Sequence, residues 1–208
     1  MFVPPHFAET DPVKLHDAIE RHSFGMLVTV AGGEPFVTSL PFLLTRRDGP
    51  HGTLWGHMAR ANPQWRELTT QTVLAVFNGP HTYISPTWYE ADHTVPTWNY
   101  VAVHAYGRAS LIEDSDELLN LLQRTVRTYE EGMAQPWELD TTSSAIRKML
   151  PQIVGFRVEI TRIEGKWKVN QNHTVERRSR VANALQQQGG ANSTAIAELI
   201  QATLPSGE

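Results

Sequence analysis

The alternation of apolar and polar residues predicts a series of short strands in the first half of the chain. Strands are expected at 24–30, 35–45, 53–58 and 73–77, with turns rich in glycine and proline between the first three. Pro41 predicts a break or an edge position within the second strand. Four strands joined by tight turns favour an antiparallel meander that curls towards a barrel.

The remaining pattern predicts helices and two longer strands. A helix is expected from Asp11-Pro12 to about residue 23, with apolar residues on one face. A loop rich in aromatic residues at 81–97 is followed by a strand at 98–111 and a helix capped by Asp114. A helix at 143–150 and a strand at 153–163 come next. The last part of the chain is a polar helical segment with a hinge at 186–190 and a frayed end at 204–208. A long loop of this kind is more often functional or interfacial than idle. The whole pattern predicts an α+β fold, mainly β.

The segment His57–Gln64 has the features of an anion-binding site. The third strand delivers His57 and Arg60 to a helix start, where Asn62 is the cap and Pro63 the first helical residue. Free backbone N–H groups at such a start favour negative charge, and a guanidinium can make a two-pronged contact to phosphate. The alternative is that Arg60 is solvated and His57 is an ordinary strand histidine.

Three further stretches suit a planar, phosphorylated ligand. In Pro96–Tyr100, two aromatic rings could pack on a flat ligand while Asn99 hydrogen-bonds its edge, or these rings could fill a core or a dimer interface. Val37–Pro41 carries two adjacent hydroxyls that could contact a phosphate or be ordinary strand hydroxyls. Lys166–Asn172 has two cations and three amides, which could reach a phosphate or cap a helix.

Composition excludes several classes of protein. The chain has 208 residues, 40% of them hydrophobic, and a net charge of −4, which is typical of a globular domain without a general attraction to nucleic acid. It has no cysteine, so disulfides, thiolate catalysis and iron–sulfur clusters are excluded. We find no secretion signal and no apolar stretch of membrane-spanning length, and we therefore expect a cytoplasmic protein.

Familiar catalytic and metal motifs are also missing from the sequence. The nine histidines include no helical pair four residues apart and no His-x-His, and four of them, His57, His81, His93 and His104, are scattered over separate strands and the aromatic loop. We therefore predict no metal site. The chain lacks a nucleophile elbow, a Gly-x-Gly-x-x-Gly loop and a Walker loop. Glu90 and Asp92 are interpreted as solvated loop charges.

Five stretches of the chain form an ordered set. They are Phe2–Phe7, His57–Gln64, Phe77–Tyr89, Val95–His104 and Lys168–Asn172. Together they resemble the PaiB-like family of FMN-binding negative transcriptional regulators, in register from the N-terminus to about residue 172. The last stretch departs slightly, because it has Lys-Val-Asn-Gln-Asn where the family usually has Lys-Leu-Ser-Gln-Asn.

The resemblance implies a split β-barrel of antiparallel strands with peripheral helices and a helical C-terminal tail, similar to pyridoxamine-phosphate oxidase and small flavin reductases. Such folds generally form homodimers that bind FMN at the subunit interface. An FMN-binding split-barrel domain is then expected at 1–172 and a helical extension at 173–208. The residues expected to bind FMN are Thr38, Ser39, Leu40, Pro41, His57, Ala59, Arg60, Asn62, Pro63, Gln64, Trp98, Asn99, Lys168 and Gln171.

Within this set the resemblance implies separate roles. Arg60 and the helix start at Asn62 would hold the FMN phosphate, with Thr38 or Ser39 nearby. The backbone of residues 38–41 would border the isoalloxazine ring. Trp98, Asn99 and Lys168 would close the site, and the partner subunit could supply them.

Two functions from different classes follow from this resemblance. The first is a negative transcriptional regulator that binds FMN and acts with a partner or on DNA directly. Only residues 162–180 support direct DNA contact, with six Lys or Arg and two Glu, a net charge of +4, and a solvated basic face is the alternative. The second is an FMN-dependent oxidoreductase, either a flavin reductase or an enzyme like pyridoxamine-phosphate oxidase, with His57 or His104 as the first candidates for an acid or base. Haem binding through a histidine is a minor third possibility.

Overall fold

A computed structural model describes residues 1–90 and 94–205 of the chain. The predictions for Asp92, for His93 and for the frayed residues Ser206–Glu208 lie outside these residues. The chain divides into two compact units. Unit 1 comprises Met1–Ala18, Asn78–His104 and Glu164–Glu208, and unit 2 comprises Ile19–Phe77 and Ala105–Ile163.

The described residues form eight strands, five α-helices and four short 3-10 helices. The strands are β1 (Ala8–Glu9), β2 (Phe24–Ala31), β3 (Glu34–Pro41), β4 (Leu43–Thr45), β5 (Thr53–Ala59), β6 (Thr72–Ile84), β7 (Thr97–Ile112) and β8 (Ile153–Lys168). The α-helices are α1 (Pro12–Arg21), α2 (Ser115–Glu130), α3 (Ser144–Met149), α4 (Val175–Gln188) and α5 (Ala191–Gln201). The 3-10 helices are Pro5–Phe7, Pro63–Glu67, Pro86–Tyr89 and Leu150–Gln152.

The predicted α+β class, with antiparallel strands and a helical C-terminal tail, is confirmed. Helix and strand contents are about equal, so the expected excess of strand does not occur. The strand order is β3-β2-β6-β7-β8-β5-β4, with β1 paired to β8, and this path does not close on itself. The prediction of a meander was wrong, because β2 pairs with β6 and β5 pairs with β8 across long stretches of sequence.

Local signals explain where several elements begin and end. Gly32 and Gly33 both have positive φ, which is the backbone that a two-residue hairpin between β2 and β3 requires. Asp114 caps α2 by accepting hydrogen bonds from the backbone N–H groups of Asp116 at 2.9 Å and Glu117 at 2.8 Å. Pro41 ends β3, as its break signal predicted.

Two strands are longer than the sequence predicts. β6 does not stop before Asn78 but continues to Ile84, so it takes in the first part of the expected loop. β8 continues five residues beyond Ile163 to Lys168. Both extensions pass from unit 2 into unit 1, and in β6 Thr82 and Ile84 are buried while His81 and Tyr83 are exposed. We attribute the continuation of β6 to side-chain packing in unit 1, which cannot be predicted from the local turn residues.

Each unit has its own apolar cluster. In unit 2, leucines of α2 pack with Leu43, Ile112 and Leu150. In unit 1, α4 and α5 bury Val181, Leu185, Ile196 and Ile200 in a cluster that includes Ile84. The break between these two helices is at Gly189-Gly190, within the predicted hinge. The boundary expected at residue 172 stays a prediction.

We predict that Gly107→Ala destabilises unit 2. A Cβ atom at Gly107 would lie 2.3 Å from the main-chain oxygen of Glu159, and backbone in a paired strand cannot move aside easily. The expected loss in the free energy of unfolding is about 1–3 kcal/mol, measured by urea denaturation. Gly132→Ala is the matched control, because nothing lies within 4 Å of its added Cβ. Equal midpoints for Gly107→Ala and the unmodified protein would contradict the prediction.

Candidate functional site

The turn after β5 is fixed by the side chain of Asn62. Its Oδ1 accepts a hydrogen bond from the backbone N–H of Gln64 at 3.0 Å, so the predicted cap is confirmed. Its Nδ2 donates to Thr38 Oγ1 at 2.8 Å, which ties the turn to β3. The helix that follows, Pro63–Glu67, is a single 3-10 helix.

Gln64 joins the same turn to the interior of unit 2. The residue is only 1% exposed, and its Nε2 lies 3.0 Å from Leu27 O, 3.1 Å from Thr29 Oγ1 and 3.1 Å from Phe36 O. Its Oε1 has no hydrogen-bond partner among the described residues. One amide thus connects the turn to both β2 and β3, in addition to the link that Asn62 makes.

Arg60 is exposed at the end of β5, but its guanidinium is held in place. Nε donates to Pro151 O at 2.8 Å and Nη2 donates to Ile153 O at 2.9 Å. The guanidinium also lies 5.7 Å from the ring centre of Trp65. These contacts orient the charge and leave Nη1 available to a ligand.

The four candidate residues of β3 divide between its two faces. Thr38 and Leu40 point inward, where Thr38 meets Asn62 and Leu40 is buried. Ser39 and Pro41 lie on the other face of the strand, as expected from alternation. The four side chains therefore cannot all meet one ligand, although their backbone groups can still border it.

His57 lies in the middle of β5, opposite Gly155 of β8. Burial lowers the pKa of its imidazole. His57 is therefore neutral at pH 7, with one ring nitrogen as donor and the other as acceptor. Ala59 and Pro63, the remaining candidates near it, are both exposed.

Four candidates lie in unit 1. Asn99 is 0% exposed, and neither its Nδ2 nor its Oδ1 has a partner among the described residues. Trp98 is exposed beside two other rings, with centroid distances of 5.8 Å to His81 and 6.3 Å to Tyr83. Trp98 and Asn99 are consecutive residues of β7 and lie on opposite faces of the strand, so their shared role towards one ligand stays a prediction.

Lys168 and Gln171 have different environments. Lys168 Nζ donates to Thr97 Oγ1 at 2.5 Å, and burial lowers the pKa of this lysine. Gln171 folds back on its own turn, where Nε2 donates to Trp167 O at 2.5 Å and Oε1 accepts from Val169 N at 2.8 Å. The amide of Gln171 thus stabilises the end of β8, and its role towards FMN stays a prediction.

Unit 2 therefore holds ten of the expected residues, from Thr38 to Gln64, and unit 1 holds the other four. Sequence reasoning considered Asn170 only as one of the three amides of Lys166–Asn172 and left it out of the expected set, although it lies between Lys168 and Gln171 in the chain. Its φ of 64° is left-handed, and the usual preference of asparagine for that backbone was the one available signal. Among the described residues, no group of three or more His, Asp or Glu could hold a metal ion. No described helix is long and apolar enough to span a membrane.

A family model described as "Putative FMN-binding domain" matches residues 1–162. The chain belongs to this FMN-binding family. The resemblance to PaiB-like proteins is also confirmed by a relative from Bacillus subtilis, "Protease synthase and sporulation protein PAI 2". That protein is 36% identical over 203 residues, which cover 97% of each chain.

Two solved structures share the fold at low sequence identity. The flavocytochrome Anf3 from Azotobacter vinelandii has a TM-score of 0.60 and 17% identity, over 77% of this chain and 69% of that one. The FAD and heme binding protein from Mycobacterium smegmatis has a TM-score of 0.59 and 16% identity, over 77% of this chain and 73% of that one. The fold of this chain therefore also occurs in a protein named as a flavocytochrome and in one named as an FAD and heme binding protein.

The donor groups fit FMN, the cofactor of the family. None of the ten candidates in unit 2 is acidic, and Arg60 supplies an oriented guanidinium beside a turn with backbone N–H groups. Both suit a phosphate. In unit 1, the unpaired amide of Asn99 has the donor and acceptor that a heterocycle edge needs.

We predict that His57 makes the stability of this FMN-binding protein depend on pH. Its folded pKa lies below the ordinary value of about 6.5, so the unfolded chain binds the proton more readily. The free energy of unfolding should therefore fall as pH drops from about 6.5 towards the folded pKa. His57→Gln should reduce this slope in urea denaturation at several pH values. Some slope should remain, because burial also lowers the pKa values of His22 and His173. An unchanged slope would contradict the prediction.

Proposed function

We propose that this protein is a homodimeric, cytoplasmic negative regulator of transcription whose ligand is FMN. The regulatory role follows from membership of the PaiB-like family, and the name of the Bacillus relative, which refers to protease synthase and sporulation, supports it. The observation that carries FMN binding is the turn after β5, where Arg60 and Asn62 are both fixed by hydrogen bonds to other strands or segments. A rigid cationic turn of this kind is suited to a phosphate.

The phosphate of FMN would bind Nη1 of Arg60 and the backbone N–H groups of the 3-10 turn. Ser39 would offer a hydroxyl from the outer face of β3, and the backbone of residues 38–41 would border the ring. Trp98, Asn99 and Lys168 would close the site, as the family resemblance implies, and the partner subunit could supply them. When bound, FMN supplies a redox-active isoalloxazine, while the chain binds and orients it.

An exposed apolar face on β2 and β3 supports the homodimer. Phe24 is 71% exposed, and Val30 and Val37 are each 50% exposed. The antiparallel register places Phe24 opposite Pro41 and Val28 opposite Val37, so these side chains share one face of the sheet. A second copy of the chain would remove this apolar surface from water, and Ser39 on the same face would then lie at the interface.

Direct DNA contact has weaker support. Most cations of the basic segment have partners within the chain: Arg162 with Tyr106, Lys166 with Phe2, Lys168 with Thr97, Arg178 with Thr203, and Arg180 with Tyr89. Phosphate contacts by these groups would compete with existing internal contacts. Regulation through a partner protein therefore agrees better with the placement of these charges than direct DNA binding does.

An FMN-dependent oxidoreductase is the second candidate, and the neutral imidazole of His57 favours it. A neutral imidazole can accept a proton near neutral pH, as a general base must. Rapid bleaching of bound flavin by NADH or NADPH, with turnover in the presence of an acceptor, would support the oxidoreductase. Bound flavin that neither nucleotide reduces would favour the regulator.

We predict that Arg60→Ala weakens FMN binding by about 1.5–3 kcal/mol, the cost of one charge-assisted hydrogen bond to phosphate. The dissociation constant is measured by titrating the apoprotein with FMN and following flavin fluorescence. Arg66→Ala is the matched control, because Arg66 also lies over the ring of Trp65 but on the 3-10 helix, outside the expected set. Equal affinity of Arg60→Ala and the unmodified protein would place the phosphate elsewhere.

We also predict that Phe24→Asp produces monomers. A carboxylate at this position would have to be buried without a partner on dimer formation, which is strongly unfavourable. Sedimentation velocity gives the oligomeric state, and FMN content should fall together with dimer content if the site lies at the interface. Met149→Asp is the control, since Met149 is 57% exposed at the end of α3. A dimeric Phe24→Asp variant would exclude this face as the interface.

A further inference from the structure

A concave site lies within unit 1, where the end of β8 meets the start of α4. Its volume is about 350 Å³, towards the low end of the range for small-molecule pockets. We call it the Lys168 pocket. The polar side chains that line it include His6, Tyr89, Lys168, Asn170, His173 and Arg177.

The Lys168 pocket is cationic. Lys168 and Arg177 both line it, and both side chains are half-buried. None of the described residues that line the pocket is acidic. Burial is the main cause that lowers the pKa of Lys168, so its ammonium group is incompletely solvated there. A partly desolvated positive wall of this kind favours an anion.

Asn170 adds an unused hydrogen-bond donor. The residue is 2% exposed, and its Nδ2 has no partner among the described residues. Burial raises the pKa of the neighbouring Tyr89 hydroxyl, and Asn170 acts on it in the opposite direction, but neither the hydroxyl nor Asn170 Nδ2 has a partner in hydrogen-bond geometry among the described residues. A buried N–H group that lines a pocket and binds nothing is available to a ligand.

The backbone around Asn170 holds this donor in place. The carbonyl oxygen of Asn170 accepts a hydrogen bond from the backbone N–H of His173 at 3.0 Å. The amide of Gln171 closes the preceding turn through Trp167 and Val169. Because the backbone on both sides of Asn170 is fixed, only its side-chain torsions have to be ordered when a ligand binds, which reduces the entropy cost of binding.

One wall of the pocket is flat. The rings of Tyr89 and His173 are stacked, with centroids 4.8 Å apart and an interplanar angle of 25°. Tyr89 is buried, so the ring pair cannot turn away readily. Such a wall can pack against the body of a small molecule while the cations hold its charged group.

We propose that the Lys168 pocket binds a small molecule that carries an oxyanion, either a phosphate or a carboxylate. Lys168 and Arg177 contact the oxyanion, Asn170 donates a hydrogen bond to it, and the rest of the molecule packs against Tyr89 and His173. This site goes beyond FMN binding. The expected phosphate ligand Arg60 belongs to unit 2, whereas every residue that lines the pocket belongs to unit 1. Lys168 is the one expected FMN residue in the lining, and its ammonium group here binds the oxyanion in place of the FMN role that the family resemblance implies. A protein that binds both FMN and an oxyanion could respond to two signals.

The test is isothermal titration calorimetry with two probes, inorganic phosphate and succinate, on the protein as purified and after saturation with FMN. Saturable binding near one equivalent per chain supports the proposal if it persists in Arg60→Ala, which lacks the expected phosphate site of FMN, and it does so even if the protein holds no FMN. A preference for phosphate identifies a phosphorylated ligand, and a preference for succinate identifies a carboxylic acid. Failure of both probes to bind overturns the proposal.

Amino-acid substitutions test whether the probes bind in the Lys168 pocket. Lys168→Met and Arg177→Gln should each weaken binding by about tenfold or more, the loss expected for one charge-assisted hydrogen bond. Asn170→Gly should also weaken it while keeping a residue that tolerates the left-handed backbone. Arg147→Gln is the control for loss of a cation, because Arg147 is exposed and pairs with Asp116 in unit 2.

Arg60→Ala separates this pocket from the FMN phosphate site. If the two sites are distinct, the variant should lose FMN affinity and keep its affinity for the oxyanion probe. Unchanged binding in Lys168→Met and Asn170→Gly would overturn the proposal. Release of bound FMN by the probe, seen as a change in flavin absorbance, would also overturn it, because the pocket would then be part of the FMN site.

Discussion

The buried amide of Gln64 is the interaction on which the arrangement of unit 2 depends most directly. A polar side chain with 1% exposure is costly unless it makes hydrogen bonds. Nε2 donates to acceptors on β2 and β3, while Oε1 has no partner among the described residues. The turn after β5 is therefore attached to two strands that precede it by about thirty residues. Because Asn62 and Arg60 lie in or next to this turn, the geometry of the candidate phosphate site follows from the same attachment.

Short-range chemistry made part of this fold predictable. The cap at Asp114, the hairpin glycines at Gly32-Gly33 and the cap at Asn62 each act within a few residues, and each was identified from the sequence alone. The strand β7 was predictable for a similar reason, since its alternation is regular over its whole length. Such signals predict where a helix or strand lies in the sequence, but not which other helix or strand it packs against.

The remaining features depend on partners that are distant in the sequence. β6 continues through Asn78-Gly79-Pro80 because packing in unit 1 outweighs local turn preference. The guanidinium of Arg60 is oriented by carbonyl oxygens about ninety residues away, which no local pattern indicates. The basic segment shows the same limit, because the sequence supplies its charge of +4 but not the internal partners that use it.

The position of α4 and α5 has a consequence for how the boundaries of this family are drawn. The family match ends at residue 162, yet Val181, Leu185, Ile196 and Ile200 form a cluster with Ile84 and Tyr89, which lie inside the matched region. A truncated chain that stops at the end of the match would leave Ile84 and Tyr89 without these apolar neighbours. Such a fragment would expose apolar surface and tend to aggregate, so residues 1–162 expressed alone would behave differently from a chain that includes α4 and α5.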